Sequence, residues 1–369
     1  MANNPPSTTG LTLSQTTHMA RIAVKYGGIL VVALIVGRIF LTSFIAFWRS
    51  VNPPPPPPPT VGFGKLPAVN FPVQDESDRP RSYVLETATG TVPSFSDRSK
   101  VFLMINATPS LLADQRAREI AANYNFVFEP RILDSNTYRW EKAQPLDMQL
   151  EMDIFSQNFT LSSDYLSRPE MLNATNLPDE YGAVQLVKGY LSAANLLPAD
   201  VATVAGEVKY LKAVGGELTE AVSFSDANFI QVDLNRQPID GHYRMYGPEG
   251  TKGTIHAILG GSFSGRDAVM EMEYTYQNID YEQIETYPLR TAQEAWNILK
   301  SGAGYVAQLG VDPQGVVQQE TAVIREISLG YYESNLPQSY LQPIYVFSGD
   351  HGFLGYVSAL DPTYIQADL

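Results

Sequence analysis

The chain has 369 residues, enough for two or three domains, because single hydrophobic cores usually stop growing near roughly 250 to 300 residues. Hydrophobic residues make up 44% and charged residues 17%, a composition that excludes a largely disordered chain. The formal net charge of −14 makes nucleic acid a poor partner, and the absence of cysteine excludes disulfides, thiolate metal sites and thiol nucleophiles.

The first feature in chain order is an apolar run at 27–48, GGILVVALIVGRIFLTSFIAFW. About 22 residues span ~33 Å as a helix, close to the ~30 Å of bilayer hydrocarbon. The run ends in bulky aromatic residues and not in the small residues of a cleavage site, so we expect an uncleaved anchor after a cytoplasmic tail at 1–26. Arg21 and Lys25 precede the run and Arg49 follows it, which predicts a single-pass protein of the cell membrane with extracytoplasmic C-terminal domains.

Arg38 lies in the middle of this run, where a charge costs roughly 2.5 to 3.5 kcal/mol on insertion scales. It is our candidate contact with a partner helix in the membrane, and snorkelling to the bilayer surface is the alternative. The following segment, 49–60, contains seven consecutive prolines. Proline lacks a backbone donor and fixes φ, so we predict a stiff polyproline II spacer, with a docking site for proline-reading domains as the alternative.

The remaining sequence predicts three α+β domains, at 61–170, 175–280 and 281–369. In each of them an amphipathic helix precedes a run of strands, and the predicted helices are 111–124, 181–196 and 291–302. The strands alternate apolar with polar residues, as at 132–142 and 147–157, which indicates hairpins with one buried face. The predicted fold class is therefore α+β, with one N-terminal transmembrane helix followed by repeated units of a helix packed on an antiparallel sheet.

A helix of the pattern AxxxLxxG, an LGYY strand and an LQP sequence leading into YVF follow one another within 278–359. The residues that carry these motifs are Ala295, Leu299, Gly302, Gly330, Tyr331, Tyr332, Leu341, Gln342 and Pro343. This stretch resembles the membrane-anchored regulators of the YycH/YycI type. The resemblance implies a PepSY-like third domain, a single N-terminal anchor and a role in tuning a sensor kinase in the membrane.

Residues with catalytic or metal-binding chemistry do not fall into a recognisable motif. His242 and His256 have neither HExxH nor HxH spacing, and His351 lies in SGDHG, which is typical of a tight hairpin loop. Glu271 and Glu273 alternate on one strand, which predicts a solvated sheet face and not a glycosidase pair. We therefore predict no catalytic residue, no cofactor and no metal site.

Three functions are compatible with this pattern. The first is a binding or regulatory protein that acts through protein–protein contacts on a membrane or envelope partner, with a candidate interaction surface formed by Tyr331, Tyr332, Tyr340 and Tyr345. The second is a structural component of a cell-surface or secretion assembly. The third is a cell-envelope enzyme, which requires His256 or His351 to converge with acidic residues in one pocket.

Overall fold

A computed structural model describes residues 13–52, 57–172, 176–311, 315–317 and 319–366. The chain divides into two compact units, 1–58 and 59–369. The first unit contains helix α1, Leu13–Val51. We refer to the second unit, 59–369, as the body. The first twelve residues of the predicted tail (1–26) and the prolines at 53–56 lie outside the described residues.

Helix α1 begins before the predicted anchor and so includes residues that we predicted as part of the tail. A window of it within Thr16–Val51 has a mean hydropathy of 2.5, and none of that window is buried inside the chain. Its large apolar side chains are exposed, for example Phe40 and Leu34. The helix is long and apolar enough to span a membrane, as an anchor or as a signal sequence.

The helices of the body, within the described residues, are Ala113–Asn123 (α2), Pro169–Leu172 (α3), Glu180–Ala193 (α4), Ala199–Ala202 (α5) and Ala292–Lys300 (α6). Its strands β1 to β17 are, in chain order, Ser82–Leu85, Arg98–Ile105, Arg131–Ile132, Thr137–Lys142, Met148–Asp153, Phe159–Ser163, Glu207–Val214, Glu217–Glu220, Phe229–Leu234, Met245–Tyr246, Ile255–Gly260, Val269–Tyr274, Asn278–Pro288, Tyr305–Gln308, Thr321–Tyr332, Tyr340–Gly349 and Leu354–Ser358. The α+β fold class is confirmed.

In the described part of the body, the strands form two sheets. The nine-stranded sheet is antiparallel, in the order β3-β4-β5-β6-β12-β11-β9-β7-β8. The eight-stranded sheet has the main order β1-β15-β16-β17-β14, and β2 joins β16 to β13 while β10 pairs with β15. Strands β12 and β13 follow each other in the chain but belong to different sheets, so the segment between them connects the two halves of the body.

Each sheet is covered by amphipathic helices. Helices α2 and α4 pack on the nine-stranded sheet through residues such as Ile120 and Val187, and α6 packs on the eight-stranded sheet through Trp296 and Leu299. The start of α6 is the predicted capping box, in which the Glu294 N–H donates to Thr291 Oγ1 (3.2 Å) and the Thr291 N–H donates to Glu294 Oε2 (2.8 Å). The three predicted helices are thus confirmed, with ends shifted by one to three residues.

The strand pairing differs from the three predicted domain ranges. Strand β6 pairs with β12, so residues from 61–170 and 175–280 share one sheet and one core. Strands β1 and β2, from the first predicted range, pair instead with β15 and with β13 and β16. The pairing of β6 with β12 covers two strand edges that would otherwise be open. It joins segments that are distant in the sequence, and local patterns do not specify such a pairing.

Candidate binding site at the junction of the two sheets

The junction of the two sheets is built from connecting segments. They are the segment after β9, the link between β12 and β13, the turn between β15 and β16, the end of β2 and the turn between β5 and β6. Helix α5 contributes Asp200. Backbone groups in the regular strands are already paired within the sheets. These connecting segments lie outside the strands, so their backbone groups need other partners, and polar side chains concentrate here.

Arg236 is the centre of a buried cluster at this junction, which we call the Arg236 cluster. Its Nε donates to both carboxylate oxygens of Glu333 (3.0 Å each), and its Nη2 donates to Glu333 Oε1 (2.7 Å) and to the carbonyl oxygen of Gln277. Its Nη1 donates to Asp200 Oδ2 (2.7 Å). The side chain of Arg236 is 0% exposed and that of Glu333 is 1% exposed, so the ion pairs are largely withdrawn from solvent. The cluster ties α5 and β9 of one half to β15 of the other.

Two tyrosines complete the cluster. Tyr276 Oη donates to Asp200 Oδ1 (2.8 Å), and Tyr281 Oη donates to Asp200 Oδ2 (2.9 Å). The Arg236 guanidinium lies 3.8 Å from the centre of the Tyr276 ring, a cation–π contact. Burial alone would lower the pKa of Arg236, but Glu333 and Asp200 outweigh it and raise that pKa, so the cation is stabilised.

A second buried pair lies on neighbouring strands of the nine-stranded sheet. His256 Nδ1 is 2.8 Å from Asp233 Oδ1, and this oxygen also accepts from the Gly253 N–H (2.9 Å). Gln231 Nε2 donates to the other oxygen (2.6 Å). Burial alone would raise the pKa of Asp233, but these hydrogen bonds and the nearby His256 outweigh it and hold the pKa below its ordinary value.

Beside the Arg236 cluster is a cavity of about 240 Å³, which we call the amide cavity. Among the described residues that line it, none is charged. Six carry side-chain amides, and these are Asn106, Gln157, Asn158, Gln277, Asn278 and Asn335. Phe155, Tyr276, Leu336 and Pro337 supply apolar surface. The two halves of the body thus meet around an uncharged, amide-rich cavity.

The six amides differ in their hydrogen bonding. Gln277 is fully engaged: Nε2 donates to Asn106 Oδ1 (2.9 Å) and to the Gln338 carbonyl (2.8 Å), while Oε1 accepts from the Gln338 N–H (3.1 Å). By contrast, the side chains of four others form no hydrogen bond within the described part of the chain, and these are Gln157, Asn158, Asn278 and Asn335. The side-chain oxygen of Asn158 is buried without a hydrogen-bond partner within the described residues. The cavity therefore offers uncommitted donors and acceptors to a ligand.

The predicted tyrosine surface is wrong for three of its four residues. Tyr331, Tyr332 and Tyr345 are each 1% exposed, because the last four residues of β15 and most of β16 are covered on both faces. Tyr331 Oη donates to the Lys100 carbonyl (3.0 Å) and Tyr345 Oη to the Arg290 carbonyl (2.8 Å). These rings stabilise the core and are not available to a partner.

Tyr340 and Arg38 remain outside the buried core. Tyr340 is half-buried and packs against Phe63, with 5.1 Å between ring centroids. Arg38 is exposed on α1, so the structure neither supplies nor excludes a contact with a partner helix. The role of Arg38 stays a prediction.

The histidines and paired glutamates from the sequence do not converge in one site. His256 lies in the nine-stranded sheet, whereas His351 is exposed in the turn between β16 and β17, with a φ of 58°. The neighbouring Asp350 is engaged by Arg325 (2.7 and 2.8 Å). Glu271 accepts from Tyr165 Oη (3.2 Å) and Glu273 pairs with Lys252 (2.7 Å), so both are half-buried and partnered instead of solvated. The described residues contain no group of three or more His, Asp or Glu placed to hold a metal ion.

Sequence reasoning missed the Arg236 cluster and the amide cavity. Arg236 and Glu333 are 97 residues apart, and no local motif links them. The only available signal was compositional: Asn and Gln recur at the ends of predicted strands, as in Gln277-Asn278 and in Gln157-Asn158.

No family model matches the chain, and no curated protein matches it. The solved structures that match include an uncharacterized protein from Eubacterium rectale, with a TM-score of 0.33 and 10% sequence identity. That match covers 74% of this chain and 86% of the other. The function is therefore argued from the residues of this chain.

Proposed function

We propose that this protein is a membrane-anchored extracytoplasmic binding or regulatory protein, in which α1 is the anchor and the body acts by binding. The observation that carries the proposal is α1, whose apolar window has no buried residues. Exposed apolar surface is costly in water, at roughly 25 cal/mol per Å², and a bilayer removes that cost.

The charges that flank the apolar run support the proposed orientation. Arg21 and Lys25 on the N-terminal side outnumber Arg49 on the other, which favours a cytoplasmic N-terminus. A regulatory role is supported by the resemblance of 278–359 to regulators of the YycH/YycI type. In this proposal Arg38 contacts a polar or acidic group of a membrane protein that the chain regulates.

The junction supports binding as the activity of the body. The charges of the Arg236 cluster are engaged in ion pairs, while the neighbouring amide cavity presents side chains whose hydrogen-bonding capacity is unused. Convergent, uncommitted polar groups beside apolar surface are typical of ligand sites. Loops from both halves line this cavity, so a ligand bound there contacts both sheets.

Crosslinking in cells of the native host tests the proposed membrane partner. Full-length protein is compared with Arg38→Leu and with a control, Arg49→Gln, which changes a charge at the end of the helix. We expect the wild type and the control to crosslink to the same membrane protein and Arg38→Leu to lose that product. Recovery of no membrane neighbour with any variant would contradict the proposal.

A further inference from the structure

The amide cavity differs from the rest of the surface in its charge. Charged residues make up 17% of the sequence, yet none of the described residues that line this cavity is charged. An ionic ligand would find no opposite charge among these side chains to compensate for its removal from water. The lining therefore favours an uncharged ligand.

The free groups of the lining match hydroxyl groups. Each side-chain amide offers two N–H donors and one carbonyl acceptor, and a hydroxyl both donates and accepts. Gln157 and Asn158 come from the β5–β6 turn, Asn278 from the start of β13 and Asn335 from the β15–β16 turn. A ligand with several hydroxyls on different sides can therefore bond to both halves of the body at once.

Asn158 is the lining residue with an unpaired buried acceptor. Its side-chain oxygen is buried and has no hydrogen-bond donor within the described residues. Leaving a buried acceptor unpaired costs roughly 1 to 3 kcal/mol, so a turn of the Asn158 side chain that brings this oxygen to a ligand donor in the cavity removes that cost.

The apolar part of the lining favours a ligand that also has C–H faces. Phe155 and Tyr276 provide rings, and Leu336 is 57% exposed at the edge of the cavity. The volume of about 240 Å³ is small for a drug-sized ligand, which typically occupies ~300 to 1,000 Å³. The ligand is therefore a small group or the end of a longer molecule.

We propose that the amide cavity binds an uncharged sugar residue. A sugar ring combines hydroxyls with C–H faces and carries no charge. A peptide bound as an added strand is disfavoured, because that mode requires an open sheet edge, whereas turns and strand ends line this cavity. This inference rests on the binding role proposed above and names its ligand class.

Saturation-transfer NMR on the full-length protein tests the inference. The protein is kept in a detergent without a sugar headgroup, and the probes are maltose, N,N′-diacetylchitobiose, glucuronic acid and a neutral alanine tripeptide amide. We expect transfer to at least one of the two uncharged disaccharides and none to glucuronic acid or the tripeptide. Maltotetraose and chitotetraose then distinguish two sources of the sugar. If the natural ligand is a polymer chain, the tetrasaccharides bind more tightly than the disaccharides, and if it is a free or terminal sugar, chain length has no effect on binding.

Asn278→Ala and Asn335→Ala are the test variants, and Asn70→Ala is the control because it changes an exposed asparagine that does not line the cavity. Each test variant is expected to weaken sugar binding at least tenfold, and the control to leave it unchanged. Wild type that binds neither disaccharide, tripeptide binding at the same site, or full binding by both test variants would overturn the inference. Protein that stays in the membrane but binds no sugar refutes this inference alone, whereas sugar-binding protein found free of the membrane refutes only the anchor.

Discussion

The Arg236 cluster and the amide cavity adjoin each other at the junction, yet they use polar side chains in opposite ways. In the cluster, Arg236, Glu333 and Asp200 are paired and almost entirely withdrawn from water. In the cavity, four amides form no bond within the described part of the chain. Buried charges are tolerated only when they are paired, so the cluster joins the two sheets, while the free amides next to it form the ligand site that we propose.

The two regions also share residues. Tyr276 and Gln277 line the cavity, and both contact Arg236. The cluster therefore fixes the backbone that positions the amides, an arrangement in which a rigid supporting shell holds a site in its productive geometry. Substitutions in the cluster should change stability, and substitutions of the free amides should change binding alone.

Arg236→Met should have the largest effect. It leaves Glu333 and Asp200 buried without their cation, which typically costs about 3 to 5 kcal/mol in the free energy of unfolding. The control is Arg244→Met, because Arg244 pairs with Glu207 at a site where its side chain is 62% exposed, and such pairs contribute about 0 to 1 kcal/mol. Urea denaturation measures the free energy of unfolding of both variants, and equal decreases for the two would show that the cluster does not hold the junction.

Tyr276→Phe should have an intermediate effect. It removes a half-buried hydroxyl that donates to Asp200, and hydrogen bonds to charged groups contribute about 1.5 to 3 kcal/mol. Tyr281→Phe removes the donor to the other oxygen of the same carboxylate, but Tyr281 is 44% exposed, so water replaces that bond more easily. Denaturation curves of the two variants should therefore separate, and a larger loss for Tyr281→Phe would contradict the cluster as described.

Asp233→Asn should lower the free energy of unfolding by a smaller amount, which depends on pH. Its folded pKa lies below the unfolded value near ~4, so its ionised form stabilises the body above that pH. This contribution is lost as the pH falls through the folded pKa. When the free energy of unfolding is measured from neutral pH to strong acid, the wild type should lose its greater stability over Asp233→Asn only below about pH 4. A difference that stays constant through strong acid would be inconsistent with the lowered pKa.

Asn335→Ala should have the smallest effect on stability, under about 0.5 kcal/mol, because its exposed side chain forms no hydrogen bond within the described residues. Gln277→Ala is the matched comparison in the same cavity. It removes three hydrogen bonds and should cost about 1 kcal/mol or more. Thermal melts of the two variants check this, and equal melting temperatures would mean that the two kinds of amide do not differ.

Local patterns predicted the elements that local chemistry determines. The Thr291 and Glu294 capping box and the apolar spacing of Ala295 and Leu299 were sufficient to place α6. The apolar run 27–48 likewise located a helix long enough for a membrane. These features depend on residues only a few positions apart.

Long-range pairing decided the rest. The exposure of Tyr331 and Tyr345 depends on what covers β15 and β16, namely packing against residues such as Phe102 and Phe95. The continuous apolar run IYVF in β16 is typical of a strand buried on both faces, and it was the signal against an exposed tyrosine surface. The pairing of β6 with β12 was equally out of reach, because open strand edges do not specify their partners.

The proposed function depends most directly on whether α1 is a permanent anchor. The measurement is the intact mass of the protein from host membranes washed at alkaline pH, with the soluble fraction examined in parallel. We expect membrane-bound protein that still contains Thr16–Val51. Protein found in the soluble fraction and beginning after Val51 would contradict it.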